Sequence, residues 1–327
     1  MKKIITISVF FLACFRLAAQ QDPQFSQFMF NKLFMNPAYA GMREAFCMSA
    51  IGRQQWAGFD GSPRSGIFSA DMKLPGYAGG IGINVLSDRL GFENNQRYNI
   101  DYSYHRELGD GVIGIGVEFG AYSKHIGPTG NDQWQSTTAW TSDPSIPSSL
   151  NKTVPDFGFG LWYQRQDLWF GISSSHLNAM MINGGQETIL GHTHDQRFQM
   201  ARHYFITGGC NISTLGNGTW SLRPSFLVKS DATITSFELN CIALWQNKFW
   251  GGVSWRYRDA ICPMVGFQLL TPHMPDKFSD GGLKIGFAYD YTTSQLHNYN
   301  DGTFEIFLNY CIPLDYTAGH GTVRFFE

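Results

Sequence analysis

The 327-residue chain carries 24 Lys and Arg against 26 Asp and Glu, a net charge of −2, and only 15% of its residues are charged, where ordinary soluble domains average about 25%. That balance, with no basic run, excludes general electrostatic attraction to nucleic acid. After the first twenty residues nothing approaches ~18 consecutive apolar residues, which excludes membrane-spanning helices.

The chain opens MKKIITISVFFLACFRLAAQ. Lys2 and Lys3 form a positive region, Ile4 to Ala13 an apolar one, and Ala18-Ala19-Gln20 a small-residue cleavage zone, so residues 1–20 read as a secretory signal peptide. Phe11-Leu12-Ala13-Cys14 fits a lipoprotein box poorly, with Phe15 and Arg16 following. Removing the leader leaves 21 basic and 26 acidic side chains, a net charge of −5.

Residues 21–43 come next, beginning QDPQFSQFMFNKLFMNPAYAG. Phe25, Phe28, Met29 and Leu33 recur at helical spacing until Asn36-Pro37 breaks the pattern ahead of Tyr39. This spacing predicts a short helical or plug segment on the periplasmic side. It either tucks into the mouth or lumen of a barrel or docks a partner.

From residue 44 the pattern changes to strict period two. In RYNIDYSYHR, Tyr98, Ile100, Tyr102 and Tyr104 oppose Asn99, Asp101, Ser103 and His105. In VIGIGVEFGAY, Ile113, Ile115, Val117 and Phe119 oppose Gly114, Gly116, Glu118 and Gly120. LKIGFAYDY and FEIFLNY repeat the alternation near the C-terminus. A soluble sandwich also alternates, but many of these segments reach the 9–11 residues of tilted membrane strands. About fourteen strands are predicted, near 44–54, 64–74, 79–88, 95–107, 111–124, 154–166, 167–176, 200–213, 219–230, 233–246, 248–258, 260–270, 281–293 and 302–312. Losing or gaining a hairpin keeps parity, so twelve or sixteen stay open.

The fold class is therefore all-β: a transmembrane antiparallel up-and-down barrel over 44–312. Pro313 is expected to end the last strand, leaving 313–327 as a tail or a short extra strand. If the first strand starts in the periplasm, the turns at 75–76, 108–111, 166–167, 215–218 and 246–248 are short and inside, with 271–280 longer than the rule. The loops at 55–63, 88–94, 125–153 and 177–199 lie outside.

The mature chain keeps Cys47, Cys210, Cys241, Cys262 and Cys311, an odd and scattered set read as small apolar residues. His192-Thr193-His194-Asp195 with His203 is the nearest approach to a metal cluster, and a polar loop explains it equally well. Neither GxSxG nor HExxH occurs. Ser174 and His176 share a strand face, but ordinary strand ends look the same, so no enzyme, no cofactor and no metal are assigned. Asp101, Glu118, Glu238, Lys284, Asp290 and Glu305 fall on the inward face. They line a pore or, as preferred here, pair with one another or with Arg223 and Lys229 inside a filled barrel. Trp56 at the end of the first strand suits an aromatic girdle, and Arg53 is expected to pair with an inward acid such as Asp71.

Several stretches resemble one family. QDPQFSQFMFNKLFMNPAYAG, RQQWAGFDGSPRSGIFSADMKL, GGIGINVLSDRLGFENNQRYNIDYSYH and LKIGFAYDYTTSQLHNYNDGTFEIFLNY are similar to the PorP/SprF family of Bacteroidetes outer-membrane proteins. Gln24, Gln27, Arg53, Gln55, Trp56 and Asp71 fall within these signature stretches. The resemblance implies an outer-membrane barrel, non-enzymatic, serving type IX protein secretion and gliding motility. Implied partners are the lipid bilayer, secretion components such as a periplasmic ring complex, and a secreted adhesin with a C-terminal sorting domain. A porin or solute-specific transporter is the alternative function.

Overall fold

A strand in lipid must satisfy every backbone N–H and C=O within the protein, and only a closed sheet leaves no open edge. The computed structural model, which describes residues 22–43, 45–75, 77–127, 150–189, 192–215, 219–269 and 282–314, closes in that way. In chain order its strands are β1 (Ala45–Gln54), β2 (Arg64–Lys73), β3 (Gly79–Leu90), β4 (Glu93–Leu108), β5 (Gly111–Ile126), β6 (Leu150–Gln164) and β7 (Leu168–Ser175). There follow β8 (Met181–Ile189), β9 (His192–Gln199), β10 (His203–Cys210), β11 (Ile212–Leu215), β12 (Trp220–Ser230) and β13 (Thr235–Trp245). The last are β14 (Phe249–Arg256), β15 (Ala260–Leu269), β16 (Gly282–Thr292) and β17 (Thr303–Pro313).

β8 and β9 form a separate hairpin. β11 continues the line of β10 along β12, so the two act as one interrupted wall strand. The wall is a closed, fourteen-stranded antiparallel barrel, with β10 between β7 and β12 and with β1 paired to β17 from Ala45–Pro313 to Gln54–Phe304.

Burial is inverted relative to a soluble protein. On β4, Ile100 is 62% exposed while Asp101 and Ser103 are fully buried, and on β5 Phe119 is 59% exposed beside buried Glu118. The apolar stripe faces lipid and the polar stripe faces the lumen, as barrel strands require. Trp220, Trp245 and Phe249 form an outward aromatic cluster at the short-turn end, and Trp255 packs on Tyr257 at the other. Both fit interfacial girdles.

Some elements differ from expectation. β3 and β4 extend until only Gly91 and Phe92 separate them, so the 88–94 loop is a tight turn, and Gly91 supplies the positive φ of 56°. The expected loop 177–199 contains the β8–β9 hairpin. β5 reaches Ile126 and β6 begins at Leu150; residues 128–149 lie outside the described set. Pro313 ends β17 from within, opposite Ala45, where the missing N–H costs least. The reading of 315–327 as a tail or extra strand lies outside the described residues.

Candidate functional site

The lumen is occupied by residues 22–43. The expected periplasmic start needs correction: the segment enters beside the ends of β7 and β10, at the long-loop end, and only then reaches Asp71 of β2, near the short-turn end, before β1 begins. It therefore runs the length of the barrel interior. Instead of an α-helix it makes two 3-10 turns, Phe28–Phe30 and Pro37–Tyr39. The wall surrounds it on all sides, so a one-sided helical stripe has no advantage and side chains radiate outward. Asn36 caps the second turn by accepting from the Ala38 N–H at 3.0 Å, with Pro37 in the first position where a donor is not needed.

Phe25, Phe28, Leu33, Asn36, Pro37 and Tyr39 are buried, and Met29 is half-buried. Phe30 stacks on Phe307 of β17 at 4.7 Å and lies against Trp250 of β14 at 4.8 Å. Tyr39 meets Trp162 of β6 edge-on at 5.0 Å. Asn36 donates to the carbonyls of Leu161 and Ile172 at 2.9 and 3.2 Å, bridging β6 and β7. The inward glycines of the sequence are the seats of this segment. A Cβ at Gly116 would fall 2.2 Å from the Ala38 nitrogen, and one at Gly160 would fall 2.0 Å from Asn36 Oδ1.

Five charged lumen residues, Arg53, Arg256, Glu238, Asp290 and Glu305, form one connected network around Ser26. Arg53 donates to Asp290 at 2.8 Å and to Glu305 at 3.0 Å. Arg256 donates to Glu238 at 3.1 Å and to the Ser26 hydroxyl at 2.9 Å. Glu305 accepts the backbone N–H groups of Ser26 and Gln27 at 2.9 and 2.8 Å, and Asp290 accepts the Ser26 hydroxyl at 2.8 Å. Gln24 donates to Glu238 at 2.9 Å. Residues more than 200 positions apart are thus joined in a buried interior, where charge-assisted hydrogen bonds are strong but desolvation is costly.

The expected Arg53–Asp71 pair does not form. Both residues face inward, but Asp71 lies towards the opposite end of the barrel from Arg53, where it holds Arg43 at 2.8 Å and the Gly41 N–H at 3.0 Å. Asp101 accepts from Asn84, which in turn is linked through Ser69 to Asn31 of the segment. Glu118 and Lys284 are buried on the inward faces of β5 and β16. Lys229 donates to the Asp22 carbonyl. Gln27 is fully buried, Gln55 is half-buried with its N–H on the Pro63 carbonyl, and Trp56 is half-buried in the loop after β1 with its N–H on Thr303 Oγ1.

The cysteine reading needs correction: Cys47 and Cys311 are disulfide-bonded, directly opposite each other on β1 and β17. The pair was hidden by its separation of 264 residues and by the odd cysteine total. The signal was present in the predicted topology, since closure must bring the first and last strands together.

The side chains of the His192–Asp195 stretch, expected to group with His203, lie outside the described set. Among the described residues His203 meets His176 and Asp22. Ser174 and His176 do not share a face. His176 follows β7 in a left-handed conformation, φ 54°, which turns its ring into the lumen. There its Nδ1 is 2.9 Å from Asp156 and its Nε2 is 3.1 Å from Asp22. Burial alone would raise the Asp22 carboxyl, but His203, His176 and Arg97 hold it well below the usual carboxylate range. Burial opposes charge on His176 too, yet Asp22 and Asp156 raise it to about 9.

Over residues 17–310 the sequence matches the family described as type IX secretion system membrane protein PorP/SprF. The chain belongs to the PorP/SprF family. It is accordingly an outer-membrane barrel, which places the short turns in the periplasm and the long loops outside.

No match is found among curated proteins. Among solved structures the barrel is similar to the Ralstonia pickettii toluene transporter TbuX, at 14% identity and TM-score 0.48, covering 86% of this chain and 92% of that one. It is also similar to the CymD monoaromatic hydrocarbon channel, at 10% identity and TM-score 0.48 over 86% and 92%. A Pseudomonas aeruginosa FadL homologue gives 11% and 0.46 over 90% and 95%.

Proposed function

We propose that this PorP/SprF barrel acts in type IX secretion by protein–protein contact, as a non-enzymatic accessory. It supports the export or surface attachment of a partner adhesin carrying a C-terminal sorting domain, or contacts the periplasmic ring complex. Family membership supplies the secretion context. The observation that carries the non-conducting reading is the lumen itself: residues 22–43 occupy it from end to end and are bonded to the wall by the Arg53–Asp290–Glu305 network.

Three cavities flank the segment among the described residues, about 180 Å³ at the periplasmic end, about 20 Å³ beside Phe25 and Phe28, and about 150 Å³ at the outer end. Their linings have no described residue in common. A solute channel would need them joined, whereas an adaptor needs only a rigid body with exposed ends. In this reading residues 1–20 are a removed signal peptide and 21–43 a resident plug.

Deleting the gene and quantifying surface and culture-fluid proteins tests the proposal. Loss of one adhesin from the surface with general outer-membrane integrity intact is expected. Normal export and attachment of every type IX cargo, with failure of solute uptake, would overturn it in favour of a transporter.

A further inference from the structure

We propose that Asp22, His176 and His203 form a binding site for a divalent transition-metal ion of the zinc type, which fastens the outer end of the lumenal segment to the barrel wall. The three residues come from three places: the start of the segment, the residue after β7 and the first residue of β10. One donor atom from each lies within 4.8 Å of the others, and all three residues are buried.

The donor set suits the metal. Two imidazoles and a carboxylate are a familiar zinc complement, leaving a fourth position for water. Ligand atoms about 2.0–2.2 Å from a tetrahedral ion stand about 3.3 Å apart; His176 Nε2 and Asp22 Oδ1 are already at 3.1 Å. The outer cavity of about 150 Å³ lies against Asp22, His176 and His203, and holds space for that water.

The surroundings of the two histidines strengthen the case. His176 presents Nδ1 to Asp156 at 2.9 Å, which fixes the tautomer with Nε2 directed at the site. This carboxylate–histidine arrangement behind a donor nitrogen is the usual support of a metal-bound imidazole. Asp156 Oδ1 is engaged in this way, and the residue is fully buried. His203 is 3% exposed, and its Nδ1, 3.9 Å from Asp22 Oδ2, is buried with no hydrogen-bond partner among the described residues. A buried ring nitrogen without a partner is costly, and a metal ion would satisfy it.

Binding displaces the proton of His176 Nε2 to solvent. Coordination through His203 Nδ1 moves that ring's hydrogen to Nε2, so the Asp22 N–H, now 3.1 Å from Nε2, must rotate away. Arg97, 3.4 Å from Asp22 Oδ2, remains as a second partner of the carboxylate. Without a metal, the same residues form a buried ion pair of His176 with Asp22 and Asp156.

The test uses the full-length mature protein in detergent, stripped with a chelator and titrated with zinc against a chromophoric indicator. Folding is verified by heat-modifiable electrophoretic mobility. One zinc per chain is expected, with at least tenfold weaker binding in His203→Ala and Asp22→Asn. Asp156→Asn, acting only through His176, should weaken it 10–100-fold. His297→Ala, exposed on the far loop, should leave it unchanged.

If His203→Ala does not fold, His203→Gln replaces it at similar volume. Zinc should also slow proteolysis of the segment at Lys32. The absence of stoichiometric zinc, or equal affinity in the folded His203 variant, would overturn the site and leave the ion pair. Neither result bears on the secretion role, which is read out by adhesin export.

Discussion

Gly116 of β5 and Ala38 of the lumenal segment are so close that a single methyl group on the glycine would sit 2.2 Å from the Ala38 nitrogen. Neither backbone can move alone, because Ala38 also receives the Ser103 hydroxyl on its carbonyl at 2.8 Å. The contact explains why a strand facing the lumen spends its inward positions on glycine. Gly116→Val should therefore displace the segment and leave the wall intact. The expected result is a barrel with normal heat-modifiable mobility whose residues 22–43 become sensitive to protease, at a cost of about 1–3 kcal/mol for the forced overpacking. Unchanged protection would show that the segment is seated elsewhere.

Arg53 is the hub that ties the segment to the seam between first and last strands. Removing it leaves Asp290 and Glu305 buried with reduced compensation, a loss that typically costs about 3–5 kcal/mol. Arg53→Ala should lower the urea midpoint of the refolded barrel accordingly. Arg53→Lys should recover little, since one ammonium cannot reach both carboxylates as the guanidinium fork does. The double variant Arg53→Ala/Glu305→Ala should be less than additive, and a double-mutant cycle measures this coupling.

The disulfide makes a count that mass spectrometry can check. Alkylation of the denatured, unreduced mature protein should label three cysteines, Cys210, Cys241 and Cys262, and reduction should release two more. Cys47→Ser should destabilise the barrel by about 2–5 kcal/mol, because the bridge fixes the β1–β17 pairing that closes the wall. Labelling of five residues without reductant would contradict the bridge.

Conductance separates a filled barrel from a pore. Purified protein in planar bilayers should be closed, and deletion of residues 24–35 should open it, because those residues carry the Gln24–Glu238, Ser26–Asp290 and Gln27–Glu305 bonds across the lumen. Steady conductance of the intact protein would favour a transporter. A deletion variant that stays closed but loses its secretion partner would instead make the segment a docking element.

Much of this molecule was legible along the chain because its signals are local. Alternation such as Tyr98-Asn99-Ile100-Asp101 repeats every two residues and needs no knowledge of what lies across the strand. It pointed to a barrel of about fourteen strands and to an inward face carrying Asp101, Glu118, Glu238, Lys284, Asp290 and Glu305, which are buried in the structure; closure fixed the count at fourteen. Period two assigns a face, but not a partner.

Partners were decided by closure and register. The seam sets Cys47 against Cys311 and Arg53 against Glu305 across more than 250 residues. In the enclosed lumen the helical spacing of Phe25, Phe28, Met29 and Leu33 gave no α-helix, only the short 3-10 turns Phe28–Phe30 and Pro37–Tyr39. A single positive φ at His176 carried its ring off the face it was expected to share with Ser174 and on to Asp22 and His203. Local chemistry chose the strand and its faces; only the closed sheet, by bringing distant faces together around one interior, decided which charges, thiols and imidazoles meet.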